Sequence, residues 1–386
     1  MSSFAPPPPT FVATPSELEA MLRVLTASDH VAVDTESNSL HAYRERVCLI
    51  QFSVPGIDFI VDPIALKDLS ALAPLFANPD QQKIFHAADN DLAALARDHR
   101  FTFANIFDTM AAARSLGWTQ VGLAAILEAQ FGVKLNKAYQ RADWGRRPLL
   151  PAMLDYARLD THYLAALRDR QSEALVSTGH WPEVVEEFER LARVRTVADS
   201  PSPEPMAFWR VKGAHDLGPQ QAAVLQSVYQ YREAQAERQD VPPFKIMGEP
   251  TLLELARHAP RSTDDLRTIA GMTPPQIGRH GRQLLQAIEQ GLQAPGLRPP
   301  RGEREPDEVR DRYDLLHTWR KNRAKVRGVE SDVILPRTVL RDLSRNPPRT
   351  HDDLEQVTDF GPRRREMYGV EILALLLDAA SAPEGA

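Results

Sequence analysis

Acidic residues at three places in the sequence have the type and spacing of a site that binds metal ions. The first place is Asp34 and Glu36, which follow the β-rich run at 30–33 and are separated by one residue. Alternate side chains of a strand leave the same face, so these two carboxylates can share an ion. An Asp-x-Glu pair at a strand end is more often part of a solvated turn, so the pair becomes informative when other carboxylates join it.

The second place lies where an apolar run ending at Phe85 leads into the start of a helix. Asp89 or Asn90 could serve as the N-cap of this helix, because a side-chain oxygen there accepts from the free N–H groups of the first turn. Asp91 stands beside apolar Leu92 on the helix itself. A position on a rigid helix suits a ligand, so Asp91 is the residue of this segment that we expect at the site.

The third place is a strongly helical segment that contains Tyr156 and Asp160. Residues four positions apart lie on one face of a helix, one turn from each other. The phenol and the carboxylate can therefore point into the same cavity. A core tyrosine beside a surface aspartate is the alternative interpretation.

Taken together, these residues predict two-metal phosphoryl transfer. Hard oxygen ligands without a cysteine or histidine cluster favour Mg²⁺ or Mn²⁺ over zinc. Two divalent ions about 4 Å apart would activate the attacking water and stabilise the charge that develops on the phosphate. A tyrosine with an ordinary pKa of about 10 is a poor base at neutral pH. We therefore expect Tyr156 to orient the water and the metal ions to lower the pKa of that water.

The composition is that of an ordinary globular chain. Its 386 residues are 43% hydrophobic and 25% charged, with 46 basic and 52 acidic side chains. A chain of this length predicts two or three domains. The single cysteine, Cys48, cannot form an intrachain disulfide, and no apolar stretch reaches the roughly 18 residues of a membrane span. We therefore expect a cytoplasmic protein with no membrane association, and no feature implies an obligate protein partner.

Local sequence patterns divide the chain into an α/β part and a helical part. Short β-rich runs at 30–33, 47–54 and 58–61 are close enough to pair as antiparallel neighbours. Helical patterns follow at about 64–77, 89–99, 109–117, 121–131 and 151–176. This order predicts a mixed sheet with helices on its faces.

The last part of the chain contains an internal repeat. Each copy carries apolar residues at three- and four-residue spacing, which predicts two small helical bundles. Proline-rich stretches at 199–205 and 295–306 read as linkers. The predicted domains are therefore 1–200, 207–292 and 308–380. One constant offset aligns Arg232 with Arg320, Val241 with Val329, Leu252 with Leu340, Pro260 with Pro348 and Gly281 with Gly369.

The three acidic motifs resemble those of the DEDD superfamily of 3′–5′ exonucleases, tyrosine subclass. They read Val33-Asp-Thr-Glu36, His86-Ala-Ala-Asp-Asn-Asp91-Leu and Tyr156-x-x-x-Asp160. The segments at 107–109, 137–149 and 156–164 narrow the resemblance to ribonuclease D. The two helical copies resemble HRDC modules, the helicase and ribonuclease D C-terminal domain.

The resemblance implies an RNase H-like exonuclease fold. It implies 3′–5′ hydrolysis of RNA from a free 3′ end, which releases nucleoside 5′-monophosphates, commonly during transfer RNA 3′ maturation. It also implies four metal ligands and one tyrosine that positions the nucleophile: Asp34, Glu36, Asp91, Asp160 and Tyr156. The departures from the family pattern are Asp89, a second carboxylate near Asp91, and Arg158, a bulky charge inside the third motif.

Two basic clusters are candidates for holding RNA. The first combines arginines with an aromatic ring, which suits phosphate pairing and base stacking on a single strand. Its alternative is a structural loop held by a buried tryptophan. The second is a basic run in the second helical copy that the first copy lacks, so we expect the second copy to contact RNA phosphates more than the first. Its alternative is a solvated helical face. The residues are Gln140, Arg141, Trp144 and Arg147 in the first cluster, and Lys321, Arg323, Lys325 and Arg327 in the second.

The sequence thus predicts a metal-dependent 3′–5′ exoribonuclease whose partner is RNA with a free 3′ end, with transfer RNA precursors as the expected substrates. A DNA exonuclease of the same superfamily is the nearest alternative, because the same ligands serve both and recognition of the 2′-hydroxyl depends on the shape of the pocket. A catalytically inactive RNA-binding adaptor is the second alternative. All the candidate ligands are present, which favours an active enzyme.

Overall fold

The structure is a computed structural model that describes residues 7–193, 206–300 and 305–381. The strands are β1 (Thr10–Val12), β2 (His30–Ser37), β3 (Val47–Val54), β4 (Ile57–Val61), β5 (Gln82–Phe85) and β6 (Ile106–Asp108). The helices of the α/β part are α1 (Pro15–Leu25), α2 (Pro63–Leu66), α3 (Ala73–Ala77), α4 (Asp89–His99), α5 (Thr109–Ser115), α6 (Leu123–Phe131), α7 (Pro151–His162), α8 (Leu164–Ser177) and α9 (Trp181–Ala192). The helices of the repeats are α10 (Pro219–Gln239), α11 (Pro243–Ile246), α12 (Glu249–His258), α13 (Thr263–Leu266), α14 (Pro274–Gln293), α15 (Asp307–Arg327), α16 (Ser331–Ile334), α17 (Arg337–Arg345), α18 (His351–Glu355) and α19 (Pro362–Ser381).

The chain divides into two compact units. The first comprises Met1–Glu36, Val47–Thr196 and Arg304–Ala386, and the second comprises Ser37–Arg46 and Val197–Glu303. The second helical copy therefore belongs to the same unit as the α/β body. Among the described residues, no helix combines the length and the apolar character that crossing a membrane requires.

The first unit is built on a six-stranded mixed sheet with the strand order β1-β4-β3-β2-β5-β6. β3 and β4 pair antiparallel, whereas β1 with β4, β2 with β5 and β5 with β6 pair parallel. The register places Ala32 beside Ile84 and Ile84 beside Phe107. The carboxyl ends of β2, β5 and β6 therefore meet at one edge of the sheet, and residues that follow them lie close together.

Side chains alternate between two cores on opposite faces of the sheet. Val31 and Val33 of β2 pack with Phe52 of β3 and with α1, α3 and α4. Ala32, between the two valines, packs on the other face with α5, α8 and α9. Leu49 of β3 is also on that second face, where it packs with α7. This period of two is what a strand with both faces buried requires.

The second unit contains the first helical copy, α10–α14. Its core is formed by buried leucines of the longer helices, among them Leu225 and Leu284. The segment Ser37–Arg46 packs with this copy. The backbone N–H of Tyr43 donates to Asp240 at 3.1 Å, and Arg44 forms an ion pair with Glu237 at 3.0 Å.

The second helical copy, α15–α19, repeats the helix order of the first. The opening helices α10 and α15 have 21 residues each, and the closing helices α14 and α19 have 20 residues each. Each copy has its own buried core. The predicted repeat of two small helical bundles is thereby confirmed.

Buried ion pairs join the second copy to helix α9 of the α/β body. The guanidinium group of Arg327 donates to Glu183 and, at 3.2 Å, to the carbonyl oxygen of Ser115. The Nη1 atom of Arg364 lies 3.5 Å from the Oε2 atom of Glu186. The side chains of Arg364 and Glu183 are 4% and 2% exposed, so these charges pair almost entirely out of water.

The predicted fold class, a mixed sheet flanked by helices and followed by two helical bundles, is confirmed. The expected antiparallel pairing of the runs at 47–54 and 58–61 is found between β3 and β4. A further strand, β1, precedes these runs and pairs parallel with β4. The division into three domains stays a prediction, and the expected linker at 199–205 lies outside the described residues.

We predict that Arg327→Ala lowers the free energy of unfolding by about 3 kcal/mol, because it removes the hydrogen-bonded partner of the buried Glu183 carboxylate and leaves only Arg364, at 4.0 Å. Lys325 of the same helix is exposed, and Lys325→Ala is the matched control, expected to stay within about 0.5 kcal/mol of the wild type. Urea unfolding followed by circular dichroism measures both changes. Equal unfolding midpoints for the two variants would contradict the prediction.

Candidate active site

β2 carries Asp34 and Glu36 at its carboxyl end. Both residues alternate with the buried valines, so they lie on the sheet face of Ala32. That face is covered by α7 and α8. Each side chain keeps part of its surface accessible to solvent, as a site that must admit a substrate requires.

The start of α4 is fixed by a carboxylate from the neighbouring strand. Ala87 adopts a left-handed conformation with φ of 61°. The N–H groups of Ala87 and Ala88 donate to Asp108 at 3.3 and 2.6 Å. Asp108 stands at the end of β6, where it also caps α5. This carboxylate therefore holds the turn between β5 and α4, which leads to the second acidic motif.

A hydrogen bond links the first and second motifs directly. The hydroxyl of Thr35 donates to the carboxylate of Asp91. Thr35 stands between the two acidic residues of β2, and Asp91 lies in the first turn of α4. The sequence interpretation did not identify Thr35 or Asp108, because a threonine between two acids and an aspartate after a strand have many ordinary roles.

α7 carries Tyr156 and Asp160 on one face, and its residues Arg158, Thr161 and His162 are bonded to the β3–β4 hairpin. The centre of this bonding is the buried carboxylate of Asp58 in β4. Ser53 of β3 bridges the hairpin to the helix. The contacts are Ser53 Oγ to Asp58 at 2.7 Å, Ser53 Oγ to Thr161 Oγ1 at 2.7 Å, His162 Nδ1 to Asp58 at 2.8 Å and Arg158 to Asp58 at 3.6 Å.

Burial raises the pKa values of all four carboxylates, and repulsion from other carboxylates of the site adds to the shift at Asp34, Glu36 and Asp160. Burial raises the pKa of Asp34 well above its ordinary value, and the charges of Asp91 and Asp160 raise it further. Burial, followed by the charges of Asp160 and Asp91, raises the pKa of Glu36 to about 9. Burial and the charge of Asp91 raise the pKa of Asp160 to about 7. Burial raises the pKa of Asp91 to about 7, although the bond from Thr35 opposes the shift. The four groups thus face a common space.

The donor set fits divalent cations. It consists of carboxylate oxygens, which Mg²⁺ and Mn²⁺ prefer. Among the described side chains, no basic group is a main influence on the pKa of Asp34, Glu36 or Asp160, so a bound cation would not compete with a basic group for these carboxylates. No three acidic, histidine or cysteine side chains in the described part of the chain are grouped tightly enough to enclose an ion. The carboxylates therefore converge at a wider spacing, which repulsion between like charges favours.

The phenol of Tyr156 stays protonated at neutral pH. Burial raises the pKa of Tyr156 above its ordinary value, and the charges of Asp160 and Glu36 raise it further. Its ring contacts two aromatic neighbours, with centroid distances of 6.0 Å to Trp144 and 5.9 Å to Tyr139. Tyr156 can therefore donate a hydrogen bond in the site but cannot serve as its base.

The structure corrects the predicted RNA-binding role of Trp144. Its side chain is 1% exposed and belongs to the core cluster that contains Leu49, so no base can stack on it. Arg147 is also engaged within the protein. Its guanidinium group donates twice to Asp62, at 2.6 Å each, and to the carbonyl oxygen of Cys48 at 3.0 Å. The alternative of a structural loop held by a buried tryptophan describes these two residues.

The other RNA-binding candidates have different surroundings. Gln140 and Arg141 are exposed, and so are Lys321 and Lys325 of α15. Arg323 is exposed and pairs with Glu371. The prediction for Arg327 is corrected, because its guanidinium group is committed to the ion pair with α9.

The two departures from the family pattern lie away from the carboxylate cluster. Asp89 is exposed, and the N-cap position of α4 is Ala88, without a side-chain cap. The predicted capping role of Asp89 or Asn90 is therefore wrong. Asp108 instead accepts hydrogen bonds from the N–H groups of Ala87 and Ala88, which precede the helix. Arg158 is buried and donates to the carbonyl oxygen of Pro7 at 2.6 Å, on the hairpin side of α7.

Comparisons with known proteins show which families and structures this chain is similar to. The family described as "3'-5' exonuclease" matches residues 9–175, and "HRDC domain" matches 221–288 and 309–376. Ribonuclease D of Acidiphilium cryptum is 30% identical over 313 residues, which cover 80% of this chain and 79% of that protein. The exosome complex exonuclease RRP6 of Saccharomyces cerevisiae is 29% identical over 297 residues, covering 74% of this chain, while this chain spans 40% of that protein's length. The crystal structure of Escherichia coli RNase D shares the fold, with a TM-score of 0.69 and 22% identity over 96% of this chain and 99% of that one.

The match over residues 9–175 places the α/β part of the chain in the family described as "3'-5' exonuclease". Within that class, the chain belongs to the ribonuclease D family.

We predict that Asp160→Asn stabilises the metal-free protein at pH 8. The raised pKa of Asp160, about 7 in the folded chain, means that the folded state binds the proton more tightly than the unfolded state. Its contribution to stability is therefore fully present below about pH 4 and is lost as the pH rises through about 7. Asparagine removes the buried charge, and we expect a midpoint several degrees higher, at roughly 2–4 °C per kcal/mol.

The measurement is the thermal midpoint of both proteins in chelator from pH 5 to pH 9. The difference between them should grow with pH. Adding Mg²⁺ should raise the midpoint of the wild type more than that of the variant, because a cation relieves the same repulsion. A difference in thermal midpoint that does not change with pH would show that ionisation of Asp160 does not destabilise the folded chain.

Proposed function

We propose that the chain is a metal-dependent exoribonuclease that removes nucleotides from the 3′ end of RNA and releases nucleoside 5′-monophosphates. The observation that carries the proposal is the convergence of four carboxylates whose pKa values are raised by burial, with repulsion within the group raising those of Asp34, Glu36 and Asp160 further. Strongly shifted pKa values of this kind are concentrated at functional sites, where a bound ligand makes use of the buried charges. A phosphodiester with its cations is the ligand class that fits this donor set.

Asp34, Glu36, Asp91 and Asp160 would hold two divalent ions, Mg²⁺ or Mn²⁺. Bound there, the ions supply activation of the attacking water and stabilisation of the charge on the phosphate. The chain's own part is to keep these ligands in place, with Thr35 bonded to Asp91. Tyr156 would orient the water as a neutral hydrogen-bond donor. Its raised pKa keeps the phenol protonated, so no phenolate is present to accept the proton of the water.

RNA is the proposed substrate because a relative that aligns with most of this chain is named ribonuclease D. Transfer RNA precursors are the substrates that we predict within that class. The yeast relative is named as part of the exosome complex; the absence of an obligate protein partner and the cytoplasmic location of this chain stay predictions.

Exposed groups are the ones proposed to contact RNA. Gln140 and Arg141 lie in the segment that leads to α7, and Arg141 has a positive charge that suits a phosphate. Lys321 and Lys325 lie one turn apart on the same side of α15, and Arg323 is exposed elsewhere on the helix, where it pairs with Glu371. Trp144 is excluded from this set by its burial, and it supports the ring of Tyr156 instead.

The proposed activity predicts stepwise shortening of a 3′-tailed transfer RNA labelled at its 5′ end. Shortening should require Mg²⁺ or Mn²⁺ and should stop in chelator. Asp34→Asn should reduce the rate by at least about a thousandfold, because it removes a ligand while preserving the shape of the site. Gel electrophoresis of timed samples and chromatography of the released nucleotides measure the reaction.

The same assay with a matched single-stranded DNA and with an RNA blocked at its 3′ end provides the controls. Faster shortening of the DNA would assign the chain to a DNA exonuclease. Binding of RNA without any cleavage would favour the inactive adaptor. Cleavage of the blocked RNA would exclude an exonuclease that needs a free 3′ end.

Trp144 provides a second prediction. Trp144→Phe keeps an aromatic ring in the core but loosens the support of Tyr156. We expect kcat to fall about tenfold, since small misplacements of a catalytic group have effects of this size or larger, while KM for RNA stays within about twofold of the wild type. Arg141→Gln is the contrasting variant, which should raise KM with little change in kcat. A raised KM for Trp144→Phe would instead support direct contact with RNA.

A further inference from the structure

Gln51 is a buried polar residue without a hydrogen-bond partner for its side chain. It lies in the middle of β3 and is 0% exposed. Within the described chain, neither the Nε2 nor the Oε1 atom of its amide has a partner. Leaving such a group unpaired out of water costs about 1–3 kcal/mol. A residue that carries this cost in the centre of the fold calls for a functional reason.

The position of Gln51 relative to α7 follows from its neighbours on β3. Leu49 packs in the same core cluster as Ala157 of α7. Ser53 is 2.7 Å from Thr161 of the same helix. Gln51 lies between Leu49 and Ser53 and shares their face of the strand. Its amide therefore faces the helical turn from 157 to 161, which contains Asp160.

Gln51 also shares a sheet face with the acidic pair of β2. β3 is the neighbour of β2 in the sheet. Val33 of β2 and Ile50 of β3 both point into the opposite core. The residues that follow them, Asp34 and Gln51, consequently project on the side of α7. The unpaired amide thus stands among elements that carry three of the four carboxylates.

We propose that Gln51 is a positioning residue of the metal site: its amide, unpaired in this structure, donates to the carboxylate of Asp160 when that carboxylate binds a cation, and so sets the orientation of this ligand. This inference rests on the proposed function. A carboxylate that binds an ion through one oxygen keeps its other oxygen for a partner in the protein, and such partners orient the ligand. The amide of Gln51 is the neutral donor available beneath this turn, and a neutral donor adds no charge that would compete with the ions.

Gln51→Met tests the proposal, because methionine has nearly the same length and shape but no amide. We expect the variant to bind Mn²⁺ about 10- to 100-fold more weakly than the wild type, the usual effect of losing a partner of a metal ligand. Its thermal midpoint in chelator should be equal to or higher than that of the wild type, because an unpaired polar group is removed. Isothermal titration of the full chain with Mn²⁺ alone measures the affinity without any RNA.

Gln171→Met is the matched control. Gln171 is also 0% exposed, but its amide donates to the carbonyl oxygen of Thr109 at 2.8 Å. We expect this variant to be less stable in chelator while binding Mn²⁺ like the wild type. Gln51→Met should therefore lose Mn²⁺ affinity without losing stability, and Gln171→Met should lose stability without losing Mn²⁺ affinity, a separation that a purely structural role of Gln51 does not produce.

Hydrolysis of RNA at increasing Mn²⁺ gives a second readout. Gln51→Met should approach the wild-type kcat at saturating Mn²⁺ and lose activity at low Mn²⁺. Gln51→Asn, which retracts the amide by one methylene, should show the same shift and replaces the methionine variant if that does not fold. Wild-type affinity for Mn²⁺ in the folded variant overturns the inference. Failure of the wild type itself to bind Mn²⁺ or to cleave RNA overturns the proposed function instead.

Discussion

The repulsion among four carboxylates held together away from water is the constraint on which the rest of this fold depends. The charges of Asp91 and Asp160 raise the pKa values of their acidic neighbours, and no basic group of the described chain is among the main influences on Asp34, Glu36 or Asp160. Left to itself, such a cluster would separate or take up protons. The scaffold therefore has to hold three different elements, β2, α4 and α7, against a force that pushes their acidic residues apart.

Hydrogen bonds to three other buried carboxylates hold these elements in place around the site. Asp108 binds the turn before α4, Asp58 binds the hairpin side of α7, and Asp62 binds the loop before α7 through Arg147. Each of these three groups accepts hydrogen bonds from several donors, so its charge is used for structure. The carboxylates of the site differ in having few donors. Carboxylates thus serve both to fix the structure and to form the site, and the number of hydrogen-bond donors around each one distinguishes the two roles.

The order of the elements, the internal repeat and the acidic motifs could be predicted because they depend on local patterns. Strand alternation and helical spacing are encoded within a few residues, and the constant offset between the copies survives in the positions of their helices. The bond from Thr35 to Asp91 could not be predicted, since its partners are 56 residues apart. Whether the charged end of an arginine reaches solvent or a partner is also a property of the folded chain, and Arg327 and Glu183 are 144 residues apart.

The charge difference between the two helical copies has a structural explanation at two positions. Under the offset of the repeat, Arg327 corresponds to Gln239 and Arg364 corresponds to Gln276. Both arginines pair with buried glutamates of α9, a role that the corresponding glutamines cannot fill with a charge. Docking on the α/β body therefore accounts for part of the basic run that suggested an RNA-binding surface. The exposed Lys321 and Lys325 remain, and their counterparts in the first copy are Glu233 and Glu237. Any preference of the second copy for RNA must consequently come from the solvent-facing side of α15, not from the number of its arginines.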